Sequence, residues 1–290
     1  MGKLWTKNTE NEFFRKALEF SSVEQLFYKT EKGRYVAYWP KGYKGKKSTI
    51  QSRNSLIGNF TEKWTVDLLN EYARSKDLFA VQGVVCENIG LTKRSPADVA
   101  ICKTKDIEQK SKNIIALFEV KMSVVWNWEY KEGKINCLGD YMTHQGNPGL
   151  LRSDSMLKAI GKSINIRVSS YEANRIPIVI LGNTPITKSY FSKVDHLKSS
   201  GIIQGFWSVN SSPRDNKKTI KKTTDNGFYR FDEYNKLLEF LDSLVSKKRE
   251  FFSSMISKQK LGQIIEVSNN ETGYVAKAEK FLQLIKNGTN

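Results

Sequence analysis

The run Ser95-Pro96-Ala97-Asp98-Val99-Ala100-Ile101-Cys102, followed after an interval by Ile114-Ile115-Ala116-Leu117-Phe118-Glu119-Val120-Lys121, decides how this chain reads. Each run is short, mostly apolar and contains β-branched residues, and Lys103 to Asn113 between them is polar. The pair predicts two strands joined by an exposed connection. Residues two apart in a strand share a face, so Glu119 and Lys121 point the same way while Phe118 and Val120 enter the opposite layer. Charges in a half-buried strand are costly unless they are paired or bind a metal. Asp98, Glu119 and Lys121 therefore need a reason to be there.

A metal-dependent hydrolase site supplies one. Two carboxylates on neighbouring strands hold Mg²⁺ through hard oxygen ligands and leave positions for water and a substrate phosphate. The metal polarises a phosphoryl oxygen and lowers the pKa of a bound water. An ammonium beside it orients that water or stabilises charge building on phosphorus. The plainer alternative is that Asp98 ends a turn after Pro96, while Glu119 and Lys121 form a solvated edge pair, since so short a motif arises easily by chance. The unbroken apolar run from Ile114 to Phe118 sets this Glu-x-Lys apart.

Pro96, Asp98, Glu119 and Lys121 together resemble the motif of the PD-(D/E)XK nuclease superfamily, which includes most type II restriction endonucleases. Ala97 separates the proline from the aspartate, where the family's name has them adjacent. The resemblance covers residues 60 to 125. It implies a restriction-endonuclease-like α/β fold with a central mixed sheet flanked by helices. It also implies that Asp98 and Glu119 ligate Mg²⁺ while Lys121 positions or deprotonates the attacking water. In-line hydrolysis of double-stranded DNA would then leave a 5′-phosphate. Further implied are a homodimer that cuts both strands of a symmetric site and a DNA methyltransferase that is a companion in function rather than in complex. Rival readings are a repair, recombination or transposon-end nuclease of the same superfamily, a non-catalytic basic DNA-binding protein, and an RNA-directed enzyme.

Composition agrees with a nucleic-acid partner. The formal net charge of +17 predicts attraction to a polyanion, and no stretch is long and apolar enough to span a bilayer. The start of the chain, with Lys7-Asn8-Thr9-Glu10, is too polar for a signal peptide. Cys86, Cys102 and Cys137 lack metal-site spacing and are odd in number, which points to reduced thiols and a cytoplasmic location. With two histidines in the chain, a zinc site or a histidine-based triad is disfavoured.

The remaining elements place the rest of the candidate site. Residues 9 to 28 predict a helix, and Gly33 to Pro40 a strand. The segment from Lys41 to Lys47 mixes glycine, aromatic and base, with Lys44, Lys46 and Lys47 able either to track a phosphate backbone or to sit in a solvated turn. Arg53 carries the basic character onward. A helix from about Phe60 to Lys76 places Glu62 in its first turn, either as a further metal-site acid or as the partner of Asn59 in a capping box. A strand over Val81 to Ile89 leads to Lys93 and Arg94, expected to flank the scissile phosphate or to be ordinary loop charges.

Beyond Lys121 the strand is expected to continue through Val124 to Tyr130, with Trp126 and Trp128 read as packing residues ahead of base-stacking platforms. A long loop from Lys131 to Leu150 carries His144, Gln145 and Asn147, whose side chains can read base edges. Arg152 to Val168 predicts a helix with Lys158 and Lys162 one turn apart on its polar side, as phosphate contacts or exposed charges. Ile176 to Leu181 reads as an interior strand, residues 187 to 199 as a helix, and Ile202 to Val209 as another strand. The expected organisation is a nuclease core over 1–209, a polar linker or DNA-facing loop over 210–227, and a helical region over 228–290 that packs on the core or on a dimer partner.

Overall fold

The computed structural model describes residues 4–216, 218–252 and 256–287. The chain opens with helices α1 (Lys7–Leu18) and α2 (Val23–Leu26), short strands β1 (Tyr28–Lys29) and β2 (Tyr35–Val36), and the long helix α3 (Gln51–Arg74). Strands β3 (Phe79–Val84), β4 (Ala97–Cys102) and β5 (Ile114–Lys121) follow, then the hairpin β6 (Asn127–Lys131) and β7 (Lys134–Gly139). Helix α4 (Ser153–Ser169), β8 (Ile178–Gly182), α5 (Phe191–Ser199), β9 (Gly205–Ser208), β10 (Phe228–Arg230) and α6 (Tyr234–Ser246) complete this part. Helices α7 (Lys258–Asn269) and α8 (Tyr274–Asn287) come last.

Among the described residues the strands form two sheets, a mixed six-stranded one ordered β10-β9-β8-β5-β4-β3 and an antiparallel one ordered β1-β2-β6-β7. In the larger sheet β4 runs antiparallel to both its neighbours, β3 and β5, while β5, β8, β9 and β10 run parallel. The expected α/β class with a mixed sheet between helices is what the chain adopts. Alternation along β4 and β5 sorts the two faces. Val99, Ile101, Phe118 and Val120 pack with Leu68, Leu69 and Tyr72 of α3 and with Leu237 and Leu241 of α6. Ala100, Leu117 and Ile178 pack with Ile166 of α4. Ile180 and Phe206 meet Met156 and Ala159 of α4 and Val194 of α5. Strand β8 is buried along its whole length, as its continuous apolar run requires.

Several elements differ from the sequence expectation, each for a physical reason. Helix α3 begins at Gln51 rather than near Phe60, because Ile50, Arg53 and Ile57 extend its buried stripe backward and Gly58 is tolerated inside it. The strand expected to run on from Lys121 ends there, and Asn127–Lys131 belongs to the other sheet. The expected loop from Lys131 to Leu150 contains β7, joined to β6 through Glu132 (φ 51°) and Gly133 (φ 75°). Positive φ at both turn positions is what a two-residue hairpin needs to follow the strand twist.

The stretch 210–227 is not a free linker. Asp195 accepts from Thr223 Oγ1 (2.6 Å), Gly227 N–H (2.7 Å) and Asp225 N–H (3.2 Å), which ties the segment to α5. A Cβ on Gly227 would lie 2.4 Å from the backbone of Val194, so only glycine lets the two segments approach. The chain divides into compact units at Arg249/Glu250, not at 209 or 227. Helix α6 belongs to the first unit, where Tyr234 Oη donates to the Leu68 carbonyl (3.0 Å). In the second unit α7 and α8 pair, with Phe252 edge-on to Phe281 at 5.6 Å. Among the described residues no helix is long and apolar enough to cross a membrane.

Candidate functional site

Strands β4 and β5 pair only as far as Val99 opposite Phe118, although β4 stays paired to β3 at Ala97 and β5 to β8 through Lys121. The two strands therefore part at the carboxyl end of β5. Asp98 fills the opening, its Oδ2 accepting the Val120 N–H at 2.7 Å that a continued ladder would have used. The carboxyl ends of parallel strands, beside a change of strand direction, are where open α/β sheets build their sites.

Four charged side chains converge there. Lys121 Nζ lies 2.6 Å from Glu119 Oε1, 3.5 Å from Asp98 Oδ2 and 3.3 Å from the Val120 carbonyl. From α4, Lys162 Nζ lies 3.1 Å from Asp98 Oδ1 and 2.5 Å from Glu119 Oε2. Side-chain exposure is 16% for Asp98, 10% for Glu119, 20% for Lys121 and 19% for Lys162, so the cluster is largely desolvated yet open to solvent at one end. Burial works against the Lys162 charge, but Glu119 and Asp98 outweigh it and hold the ammonium above its ordinary value.

Glu62 stands beside this cluster. It is in the middle of α3, so the capping-box reading with Asn59 is corrected: the helix starts well before Asn59, and that amide instead accepts from Gln82 Nε2 (3.3 Å). Gln82 Nε2 also donates to Glu62 Oε2 at 2.9 Å. Burial raises the Glu62 carboxyl and the Asp98 charge adds to that, while Lys121 and Lys162 pull the other way. Among the described residues no group of three or more His, Cys, Asp or Glu side chains is arranged as a metal cage. The donor set at the site is nonetheless one a hard divalent cation accepts: two carboxylates and a main-chain carbonyl converge on the Lys121 ammonium.

Comparison with family models, with curated proteins and with solved structures finds no match.

The other sequence candidates have separate fates. Arg53 is buried, donates to the Leu26 and Ala37 carbonyls and lies between the rings of Tyr28 and Tyr38, so it is a packing residue rather than a DNA contact. His144 is buried too, stacked on Tyr38 at 4.0 Å between centroids, with Nε2 3.2 Å from the Val125 carbonyl and Nδ1 accepting from Gly146 N–H. Burial pushes its pKa down to about 4, and the buried ring has both nitrogens engaged within the protein rather than presented to a base edge. Gln145 is occupied in its own loop: its amide donates to the Pro40 and Tyr43 carbonyls and accepts from Lys47 at 2.6 Å. Lys93 pairs with Glu108 and Lys158 with Asp154. Lys44, Lys46, Arg94 and Asn147 are exposed. Trp126 and Trp128 are buried packing residues.

Two features escaped the sequence reading. Lys162 was grouped with Lys158, but Lys158 lies about 40° further round the helix and is 73% exposed. Lys162 flanks the buried stripe through Ala159 and Ile166, and its stem reaches the sheet. Glu10, in an ordinary-looking polar stretch, is fully buried. It accepts from Trp5 Nε1 (3.1 Å), Val125 N–H (2.6 Å), Trp126 N–H (3.1 Å) and Trp128 Nε1 (3.0 Å). The one local mark is that Glu10 shares a helix face with Phe13, Phe14 and Ala17.

Proposed function

We propose that this chain is a Mg²⁺-dependent endonuclease that hydrolyses phosphodiester bonds in double-stranded DNA, with a restriction-endonuclease-like core of the PD-(D/E)XK kind. The observation that carries this reading is the convergence of Asp98, Glu119 and Lys121, the three charged residues of the motif, where β4 and β5 part. Asp98 and Glu119 would hold the cation, with Glu62 beside them. When bound, Mg²⁺ supplies charge neutralisation at phosphorus and a more acidic water. Lys121 keeps an ammonium within reach of both carboxylates, placed to orient the attacking water. Water adds to phosphorus, the 3′ oxygen leaves with a proton, and a 5′-phosphate remains. The net charge of +17 supports a polyanionic substrate. A homodimer acting on a symmetric site, paired in function with a protecting methyltransferase, is part of the same proposal.

The test is incubation of the purified protein with plasmid and linear duplex DNA, with and without Mg²⁺. Discrete fragments that need Mg²⁺ and vanish with Asp98→Ala are expected. Fragments that persist in that variant would overturn the site. Salt-sensitive DNA binding with no cutting under any metal would leave a basic binding protein.

A further inference from the structure

We infer that Lys162 is a resident counter-ion of the carboxylate pair, which a divalent cation must displace before it can load. The inference rests on the metal site proposed above, and concerns how that site fills.

Each carboxylate offers one oxygen to each ammonium. Glu119 gives Oε1 to Lys121 and Oε2 to Lys162, and Asp98 gives Oδ2 to Lys121 and Oδ1 to Lys162. Two positive charges thus already balance two negative ones in a largely desolvated pocket. A divalent cation entering without any departure would place four positive charges against Asp98 and Glu119. At such short range and reduced dielectric that repulsion is severe. One ammonium has to leave.

The two lysines are not equivalent candidates. Lys121 is two residues from Glu119 on the same strand face, and its ammonium also contacts the carbonyl of Val120 next to it in the chain. Backbone geometry keeps it at the site. Lys162 arrives from α4 across the gap, held by carboxylate oxygens at the end of a flexible stem. Rotating that stem withdraws the charge without moving either strand. Released, the ammonium is available to a substrate phosphate, so metal loading and polyanion binding favour each other through one side chain. Lys162 is in this sense a positioning residue: with no metal it holds Asp98 and Glu119 together, and it acts on the cation by vacating their oxygens.

The experiment is calorimetric titration of Mg²⁺ into the full-length protein without nucleic acid, for wild type, Lys162→Gln and Lys162→Arg. Lys162→Gln is expected to bind Mg²⁺ at least about tenfold more tightly than wild type, and to show a correspondingly larger rise in melting temperature with Mg²⁺. Lys162→Arg, which keeps the charge, should stay near wild type. Equal affinity in all three proteins would overturn the inference while leaving the nuclease reading intact if wild type cuts DNA. Failure of every protein to bind Mg²⁺, with no cutting, would overturn both. Should Lys162→Gln not fold, the side-chain amine signal of Lys162 in ¹⁵N-lysine-labelled wild type, assigned with Lys162→Arg, decides the matter. Displacement predicts that the signal moves as Mg²⁺ binds, and an unmoved signal in the metal-bound protein would overturn it.

Discussion

Glu10 and Glu119 are both buried carboxylates, and they are neutralised by different kinds of partner. Glu10 has no exposure and takes four N–H donors, two from main chain and two from indoles, all fixed by the packing around Trp5, Trp126 and Trp128. Glu119 is matched by two ammonium groups on flexible stems, at a place where two strands part. Fixed neutral donors make an acid a structural joint, and exchangeable cations make it a site that another cation can enter. The difference lies in the partners rather than in burial. Its strongest test is a set of three substitutions. Asp98→Asn and Glu119→Gln should each lower the cleavage rate by about 10³-fold, with thermal melting close to wild type. Glu10→Ala should do the reverse: about 3 kcal/mol of stability lost, measured by denaturant unfolding, with cleavage per folded molecule unchanged. Equal stability losses at both places would break the distinction.

A second test uses pH. Burial pushes the Glu10 carboxyl up to about 7 from an ordinary 4.5, against four N–H donors that favour its charged form. Burial also pushes His144 down to about 4 from 6.5. Both grip the same peptide unit, Glu10 through the Trp126 N–H and His144 through the Val125 carbonyl. The native state binds the Glu10 proton more tightly than the unfolded chain does, so that contribution is complete below 4.5 and disappears as pH rises through 7. His144 is the opposite: its contribution is complete above 6.5 and disappears as pH falls through 4. Each amounts to about 3 kcal/mol, and between pH 4.5 and 6.5 they oppose one another. Wild-type stability should be nearly flat in that window. Glu10→Gln should make it fall on acidification, and His144→Phe should make it rise. A wild-type profile with a steep slope in the window, unchanged by either substitution, would show that neither group is held as described.

The contrast also explains what was legible in the sequence. Asp98, Glu119 and Lys121 were visible because they interrupt apolar strands, where a charge has to be accounted for. The buried run of β8 and the amphipathic stripes of α3 and α4 were visible for the same periodic reason. Glu10 was hidden because it stands in the first turn of its helix, where an acid reads as ordinary although Phe13, Phe14 and Ala17 continue its face, and its partners are more than a hundred residues away except for Trp5. Lys162 was hidden because a lysine at the margin of a helical stripe reads as solvated, and only the sheet beneath α4 gives its stem a destination. Strand β7 was missed because Lys134–Gly139 is half polar and pairs in a small exposed sheet. Arg53 and His144 were misread for a related reason: charge and imidazole suggest ligands, while the carbonyls and rings that absorb them come from other segments.

Glu62 sharpens the comparison most finely, since it combines both kinds of neighbour. Like Glu10 it accepts from a neutral donor, the Gln82 amide at 2.9 Å, and like Glu119 it lies within the field of Lys121 and Lys162. Burial and the Asp98 charge raise its carboxyl above the ordinary range, with Gln82 and the two lysines opposing. It therefore ionises later than an exposed glutamate, and any contribution it makes as an anion grows with pH. Glu62→Gln keeps the shape and the contact with Gln82 but removes that charge. A site acid acting from beside the pair, without touching either lysine directly, should then cost about tenfold in cleavage and under about 1 kcal/mol in stability. Part of the rise of activity with pH should go with it. A loss near 10³-fold would place Glu62 among the ligands, equal to Asp98. No change in rate, with a clear loss of stability, would place it with Glu10 as a joint between α3 and β3.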